Sequence, residues 1–182
     1  PFCFAKRRGG PDTLRSMRVL IVEDEPLLRT TLSQLLQSEE GIEVVASVSN
    51  GVDALEMGRS LKPDVILMDL QLPLMTGIEA TARLVESGYE GAVVVLTHLS
   101  DDESLFSALR AGAIGYVLKD AAPAQVVEAL RSAARGEGVL YPTLAPRVLK
   151  EFRRLADVEG GAGPRFLRHR RPLAAGNADD RA

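Results

Sequence analysis

The sequence has little cysteine, no tryptophan, no long apolar run and little net charge. Cys3 is the only cysteine, which excludes an intrachain disulfide and fits a reducing compartment. No apolar stretch approaches the roughly 20 residues that a membrane helix needs. The opening Pro1-Phe2-Cys3-Phe4-Ala5, set before Lys6-Arg7-Arg8, has the wrong order and too short an apolar part for a secretory signal. A cytoplasmic location and no membrane contact are therefore expected. A net charge of −3 supplies no overall pull toward nucleic acid or anionic lipid. Internal repeats are also lacking. What is present is ordinary for a soluble globular chain: 46% hydrophobic and 26% charged residues over 182 positions, enough for one domain with a proper core plus extensions.

The apolar pattern alternates between short runs and helical spacing. Arg18–Val22, Ile42–Val48, Val65–Met68, Ala92–Leu96 and Gly115–Leu118 read as strands. Between them, Pro26 opens a helix carrying Leu27, Leu28, Thr31, Leu32, Leu35 and Leu36 on one face, and Asn50 caps a second helix that runs through Leu61. Ile78, Thr81, Ala82 and Val85 line a third, which stops near Gly88; Leu105, Phe106 and Leu109 face inward on a fourth, which ends near Gly112. Pro123 starts a fifth, with Val126, Val127, Leu130, Ala133 and Ala134 on its packing side. Five strand-helix units in succession predict an α/β fold with a doubly wound, five-stranded parallel sheet, because each helix returns the chain to begin another parallel strand. The second strand is the most polar and is expected at an edge. Residues 1–16 lack periodicity and are expected to be a disordered leader, with Met17 as the natural start. The domain proper is then 17–140. Thr143, Leu144, Val148, Phe152 and Leu155 predict a further linker-type helix over 141–157, and 158–182 reads as a flexible tail whose basic run, Arg165–Arg171, is solvated.

The chemistry-bearing residues stand at the ends of these strands. Glu23 and Asp24 follow the first, Asp69 the third, Thr97 the fourth and Lys119 the fifth. Each has an ordinary reading alone: a helix cap, a residue suited to a helix dipole, a β-branched strand residue, a snorkelling lysine. In a doubly wound sheet, however, the C-terminal strand ends share one edge, so all five side chains can converge. Three crowded carboxylates repel one another, and a hard divalent ion such as Mg²⁺ relieves that repulsion. With a hydroxyl and an ammonium beside them, the set describes a site for a dianionic phosphoryl group, in which a carboxylate serves as nucleophile.

In order and spacing, Val22-Glu23-Asp24, Met68-Asp69 with Pro73 and Gly77, Leu96-Thr97 and Gly115-Tyr116-Val117-Leu118-Lys119 resemble the receiver domain of bacterial two-component response regulators, a flavodoxin-like fold. The resemblance covers Arg18 to about Glu137. Leu109-Arg110-Ala111-Gly112-Ala113 and Leu118-Lys119-Asp120-Ala121 resemble the NarL/FixJ subfamily. The resemblance implies a phosphorylation-dependent switch, with Asp69 as acceptor from a histidine kinase, a phosphotransfer protein or a small phosphodonor. It implies Mg²⁺ held by Asp24, Asp69 and the backbone carbonyl of Gln71, with Glu23 acting through water, and a switch pair of Thr97 and Tyr116. A homodimer formed on phosphorylation is a further expectation, with Leu105, Val126 and Val127 as candidates for a partly exposed contact.

Two departures bear on function. NarL/FixJ proteins carry a DNA-binding helix-turn-helix after the linker helix, and the residues after Leu155 lack the periodicity of such a module. DNA binding by this chain is therefore not supported, and the alternative is a transcriptional regulator whose output domain is missing from it. Asp120 stands where many receivers have proline, and His98 where a small residue is common; His98 reads as an exposed rim residue. A third reading, a phosphatase with Asp69 as nucleophile, is weakened because such enzymes need a general acid two positions on, where Gln71 offers no acidic proton. No enzyme activity is expected beyond self-phosphorylation and autodephosphorylation.

Overall fold

A computed structural model of the chain describes residues 16–98, 101–140 and 144–158. The expected leader up to residue 15, Thr143 and the tail from residue 159 lie outside the described residues. The chain divides into two units between residues 142 and 143.

In the first unit the strands are β1 (Met17–Val22), β2 (Ile42–Val48), β3 (Val65–Met68), β4 (Ala92–Thr97), β5 (Gly115–Leu118) and β6 (Val139–Leu140). The helices between them are α1 (Pro26–Gln37), α2 (Gly51–Leu61), α3 (Gly77–Glu86), α4 (Asp102–Ala111) and α5 (Pro123–Ala134). All strand pairs are parallel, in the order β2-β1-β3-β4-β5-β6. The doubly wound α/β fold is as expected, and polar β2 does lie at an edge. Among the described residues, however, the sheet has six strands rather than five. β6 is two residues long and half-buried, so it carries too little apolar alternation to stand out in the sequence.

Parallel strands point successive side chains to opposite faces, and both faces here are covered. Val19, Ile21, Val65, Leu67, Val94, Leu96 and Val117 pack against Leu32 and Leu36 of α1 and Val126, Val127 and Leu130 of α5. On the other face Leu20, Val22, Ile66, Met68 and Val93 meet Ala54 of α2 and Ala80 and Leu84 of α3. The helix starts match their capping chemistry: Asn50, Thr76 and Asp101 each accept from the backbone N–H three residues on, and proline opens α1 and α5.

The packing faces differ in detail from the periodicity. Leu27 is 75% exposed and Thr31 is exposed, because a helix on a sheet buries a narrower stripe than the leucine-rich sequence of α1 offers. α3 turns Gly77, Ala80, Thr81 and Leu84 inward, so Ile78, Ala82 and Val85 sit at the flank. Ala134 is exposed. Leu105, Val126 and Val127 belong to the buried core, which removes them as partly exposed contact residues.

In the second unit, α6 runs over Ala145–Val158, against the 141–157 expected for a helix there, of which residues 141–143 lie outside the described ones. Leu149 on it is 59% exposed, and the side chains of Phe152 and Leu155 lie outside the described ones. No helix among the described residues is long and apolar enough to cross a membrane.

Candidate functional site

The C-terminal edge of the sheet brings the expected residues together. β1 and β3 are neighbours in register, Val22 beside Met68, so the residues that follow them, Glu23 and Asp69, emerge side by side. The Asp69 N–H donates to the Val22 carbonyl, and the Glu23 N–H to that of Val48, which carries the ladder one step past each strand. β4 and β5 pair Thr97 with Leu118, and the Lys119 N–H donates to the Thr97 carbonyl. The fifth side chain thus faces the first and third across the edge.

The loop after Asp69 is anchored rather than loose. Leu70, Leu72 and Met75 are buried, and the Gly77 N–H donates to the Leu70 carbonyl. A Cβ on Gly77 would collide with the Asp69 carbonyl oxygen, so only glycine lets α3 begin this close to the end of β3. These buried loop residues were not foreseen, although the alternation Leu70-Gln71-Leu72-Pro73 is visible in the sequence; Leu74, which would continue it, is exposed and Met75 buried instead.

Burial makes the electrostatics strong. Glu23 is 1% and Asp69 3% exposed, while Asp24 is exposed. The Lys119 ammonium donates to Glu23 Oε1 and to Asp69 Oδ2, both at 2.8 Å. It also lies 2.7 Å from Glu23 Oε2, in ion-pair contact but without hydrogen-bond alignment. Oε2 is therefore a buried oxygen with no hydrogen-bond partner. The Glu25 N–H donates to Glu23 Oε1 and the Gln71 N–H to Asp69 Oδ1, each at 3.2 Å. Burial pushes the Glu23 carboxyl above its ordinary pKa and the charge of Asp69 adds to the rise, while Lys119 opposes it without cancelling it. For Lys119, burial works against the charge, but the hydrogen bonds and attraction from Asp69 and Glu23 prevail and raise its pKa.

Carboxylate oxygens of Glu23, Asp24 and Asp69 all lie within 4.8 Å of one another. That spacing, with three carboxylates and only one ammonium between them, fits a hard divalent cation with oxygen ligands. Thr97 and Tyr116 are both fully buried, on neighbouring strands. The rim carries His98, which is exposed and which borders, with Leu118, Lys119 and Asp120, an open groove of ≈ 140 Å³. The Lys119–Asp120 peptide is trans.

One residue at the site was missed. Arg29, in the first turn of α1, donates from Nη1 to the carbonyl of Glu23 at 2.7 Å and to that of Asp24 at 3.1 Å. Its only signal in the sequence is a cation a short distance after the acidic pair.

Comparison with known proteins agrees with this geometry. The response regulator receiver domain model matches residues 19–131. The chain is 40% identical over 135 residues to the nitrate/nitrite response regulator protein NarL of Escherichia coli, covering 74% of this chain and 62% of that protein. It is 36% identical over 137 residues to the transcriptional regulatory protein LiaR of Bacillus subtilis, covering 75% and 65%. The chain thus spans somewhat under two thirds of the length of these relatives. Among solved structures, a LuxR-family two-component response regulator from an Aurantimonas species superposes with a TM-score of 0.70 at 30% identity, over 75% of this chain and 97% of that one. The receiver domain of the putative NarL of Mycobacterium tuberculosis gives 0.66 at 28% identity, over 68% and 99%. A parallel sheet that gathers three carboxylates and a lysine at one edge, within matches of this extent, leaves one assignment: the chain belongs to the response regulator receiver domain family, among its NarL-like members.

Proposed function

We propose that this chain is a phosphorylation-dependent switch in which Asp69 accepts a phosphoryl group from a histidine kinase or phosphotransfer protein. The observation that carries the reading is Asp69 itself, a 3% exposed carboxylate hydrogen-bonded to Lys119 at the end of a central strand. A carboxylate oxygen of Asp69 attacks phosphorus; the bond from phosphorus to the donor's imidazole nitrogen, or to the acyl oxygen of acetyl phosphate, breaks as the new P–O bond forms. The leaving imidazole or acetate keeps the bonding electron pair. Glu23, Asp24, Asp69 and the Gln71 carbonyl are the groups that would hold Mg²⁺, which when bound supplies positive charge for the phosphoryl oxygens. Lys119, already on Asp69, would shift its hydrogen bond to one of those oxygens. Thr97 and Tyr116 would serve as the switch pair, the Thr97 hydroxyl following the phosphoryl group and the buried Tyr116 ring giving the inward position that such a switch adopts. Residues 17–140 would form the receiver, and α6 a linker. The buried Leu105, Val126 and Val127 give a homodimer no contact, so a phosphorylated dimer would pair through other residues.

The test is incubation with acetyl phosphate and Mg²⁺, followed by intact mass. One phosphoryl group per chain is expected on the wild type and none on Asp69→Asn, whose amide is nearly isosteric but not nucleophilic. Uptake by Asp69→Asn at the wild-type rate would reject the assignment, and phosphate release from phosphomonoesters with no phosphorylated chain accumulating would favour a phosphatase. A second reading rests on the relatives' names and lengths: the chain spans 65% of a protein called a transcriptional regulator. A regulator whose DNA-binding module lies outside these residues would share every step above and differ only in output.

A further inference from the structure

The Glu23 N–H makes the last ladder bond, to the Val48 carbonyl, while the carbonyls of Glu23 and Asp24 turn to a side chain instead. Arg29 reaches back from α1 and takes both with one guanidinium nitrogen, at 2.7 and 3.1 Å. The Arg29 N–H also donates to the Glu25 carbonyl at 2.9 Å, so three consecutive carbonyls of this turn end on one residue. Little else holds the turn. Glu25, the cap of α1, makes no side-chain capping bond, and Pro26 has no N–H to give. Glu23 is further tied by its side chain to Lys119 and the Glu25 N–H, but the exposed Asp24 has its place set by backbone alone.

We propose that Arg29 is a positioning residue for the acidic pair: it fixes the backbone of Glu23 and Asp24 so that their carboxylates meet that of Asp69 within the 4.8 Å spread that a single cation can span. The inference rests on the reading of this cluster as a Mg²⁺ site. Groups that orient a ligand from behind are worth about 10- to 100-fold in metal affinity. The guanidinium also brings a positive charge toward the cluster, and charge alone would weaken cation binding. Positioning and charge therefore predict opposite signs when Arg29 is removed.

The experiment is calorimetric titration of the full chain with Mg²⁺ at neutral pH, with no phosphodonor, so that the readout is binding. Arg29→Ala is expected to weaken Mg²⁺ binding by about tenfold. Arg29→Lys keeps the charge but ends one atom short of Nη1, so it should recover only part of the loss; full wild-type affinity in that variant would show that charge rather than reach matters and overturn the inference. Arg131→Ala serves as control, since Arg131 likewise donates to a backbone carbonyl, that of Glu40, in the turn before β2 and so at the opposite sheet edge from the cluster. It should leave affinity unchanged. Thermal melts of each variant separate folding from binding: if Arg29→Ala does not fold, the Arg29→Lys titration decides. Equal or tighter binding in a folded Arg29→Ala overturns the inference while leaving the Mg²⁺ site standing. A wild-type chain that takes up no Mg²⁺ overturns the site and the inference together.

Discussion

At the N-terminal edge of the sheet, Arg18 donates its N–H to Asp64 Oδ2 and its guanidinium to the carbonyls of Leu61 and Lys62, while the Tyr89 hydroxyl donates to the Pro63 carbonyl at 2.9 Å. Among the described residues, those contacts are mostly to backbone carbonyls, and Asp64 is the one carboxylate they involve. At the C-terminal edge, one ammonium serves two buried carboxylates, a third carboxylate stands within reach, and Glu23 Oε2 has no hydrogen bond. Both edges face the same problem of ending parallel strands without orphaned polar groups. The first pairs its groups with backbone, whereas the second gathers three carboxylates around a single ammonium.

Removing the shared cation should break this comparison most severely. Lys119→Ala leaves Glu23 and Asp69 buried without their positive partner, and losing one member of a buried ion pair costs about 3 kcal/mol or more. The wild-type Lys119 and Glu23 side chains are 5% and 1% exposed, so solvent gives little relief. The sign with pH follows from Glu23. Its pKa in the folded state is already raised, and loss of Lys119 removes what opposes the rise. Such a group favours the folded state below its unfolded pKa, near ~4.3, and loses that contribution as pH rises through the folded value. The deficit of Lys119→Ala measured by urea unfolding should therefore be large at neutral pH, shrink as the pH is lowered toward ~4 and be partly repaired by Mg²⁺. Phosphoryl uptake should fall as well. A variant as stable as the wild type at neutral pH without Mg²⁺ would show that the carboxylates do not need the lysine.

The matching change at the other edge is smaller. Tyr89→Phe removes one hydrogen bond to the Pro63 carbonyl, which costs about 1 kcal/mol. Burial, aided by the charge of Asp64, raises the Tyr89 phenol above its ordinary pKa. The hydroxyl's contribution is then present below the unfolded value near ~10 and declines as pH rises past it. Wild type and Tyr89→Phe should converge in stability in strong alkali, while their phosphoryl uptake at neutral pH stays the same. A change in uptake would mean that the two edges are coupled, contrary to the contrast drawn between them.

How much of each edge could be read beforehand follows from the same physics. Glu23, Asp24, Asp69, Thr97 and Lys119 were legible because each ends an apolar run, and topology then brings the ends together. β2 could be placed at the margin because it is polar. Arg29 was not legible, since it acts through backbone carbonyls, which carry no residue identity. β6 escaped because two residues give no period, and the buried face of α3 was displaced because periodicity locates a stripe less finely than packing does. Leu105, Val126 and Val127 carried no mark that would separate a core leucine or valine from one at a contact. Lys119 was expected to read a phosphoryl group; its pairing with both Glu23 and Asp69 depends on rotamers that only the folded site decides.

The smallest effect concerns positive-φ backbone outside glycine, which among the described residues occurs once at each edge. Lys62, the cap of α2, has φ 47°, and Leu74, in the loop after Asp69, has φ 68°. Lys62 ends its helix in the left-handed conformation that commonly terminates helices. Leu74 instead is the centre of a three-residue turn, in which the Met75 N–H donates to the Pro73 carbonyl at 2.8 Å, and positive φ in such a turn is strained for a branched side chain. Its side chain is 84% exposed, so it recovers little by burial. Glycine at either position removes a left-handed cost of about 1–2 kcal/mol and adds about 0.4–1 kcal/mol of unfolded-state entropy. Lys62→Gly and Leu74→Gly should each stabilise the fold, by roughly 0.5 kcal/mol in urea titrations. They should differ in function. The turn at Leu74 separates buried Leu72 from buried Met75 and so holds the segment whose Gln71 N–H donates to Asp69 Oδ1. Freed by glycine, that segment should position Asp69 less well and slow phosphoryl uptake by about twofold, equivalent to ~0.4 kcal/mol in the barrier. Lys62→Gly should leave uptake unchanged. If Leu74→Gly lowers stability, the turn is not strained and the exposed leucine is held by packing; if both variants slow uptake equally, backbone strain is not what distinguishes the functional edge.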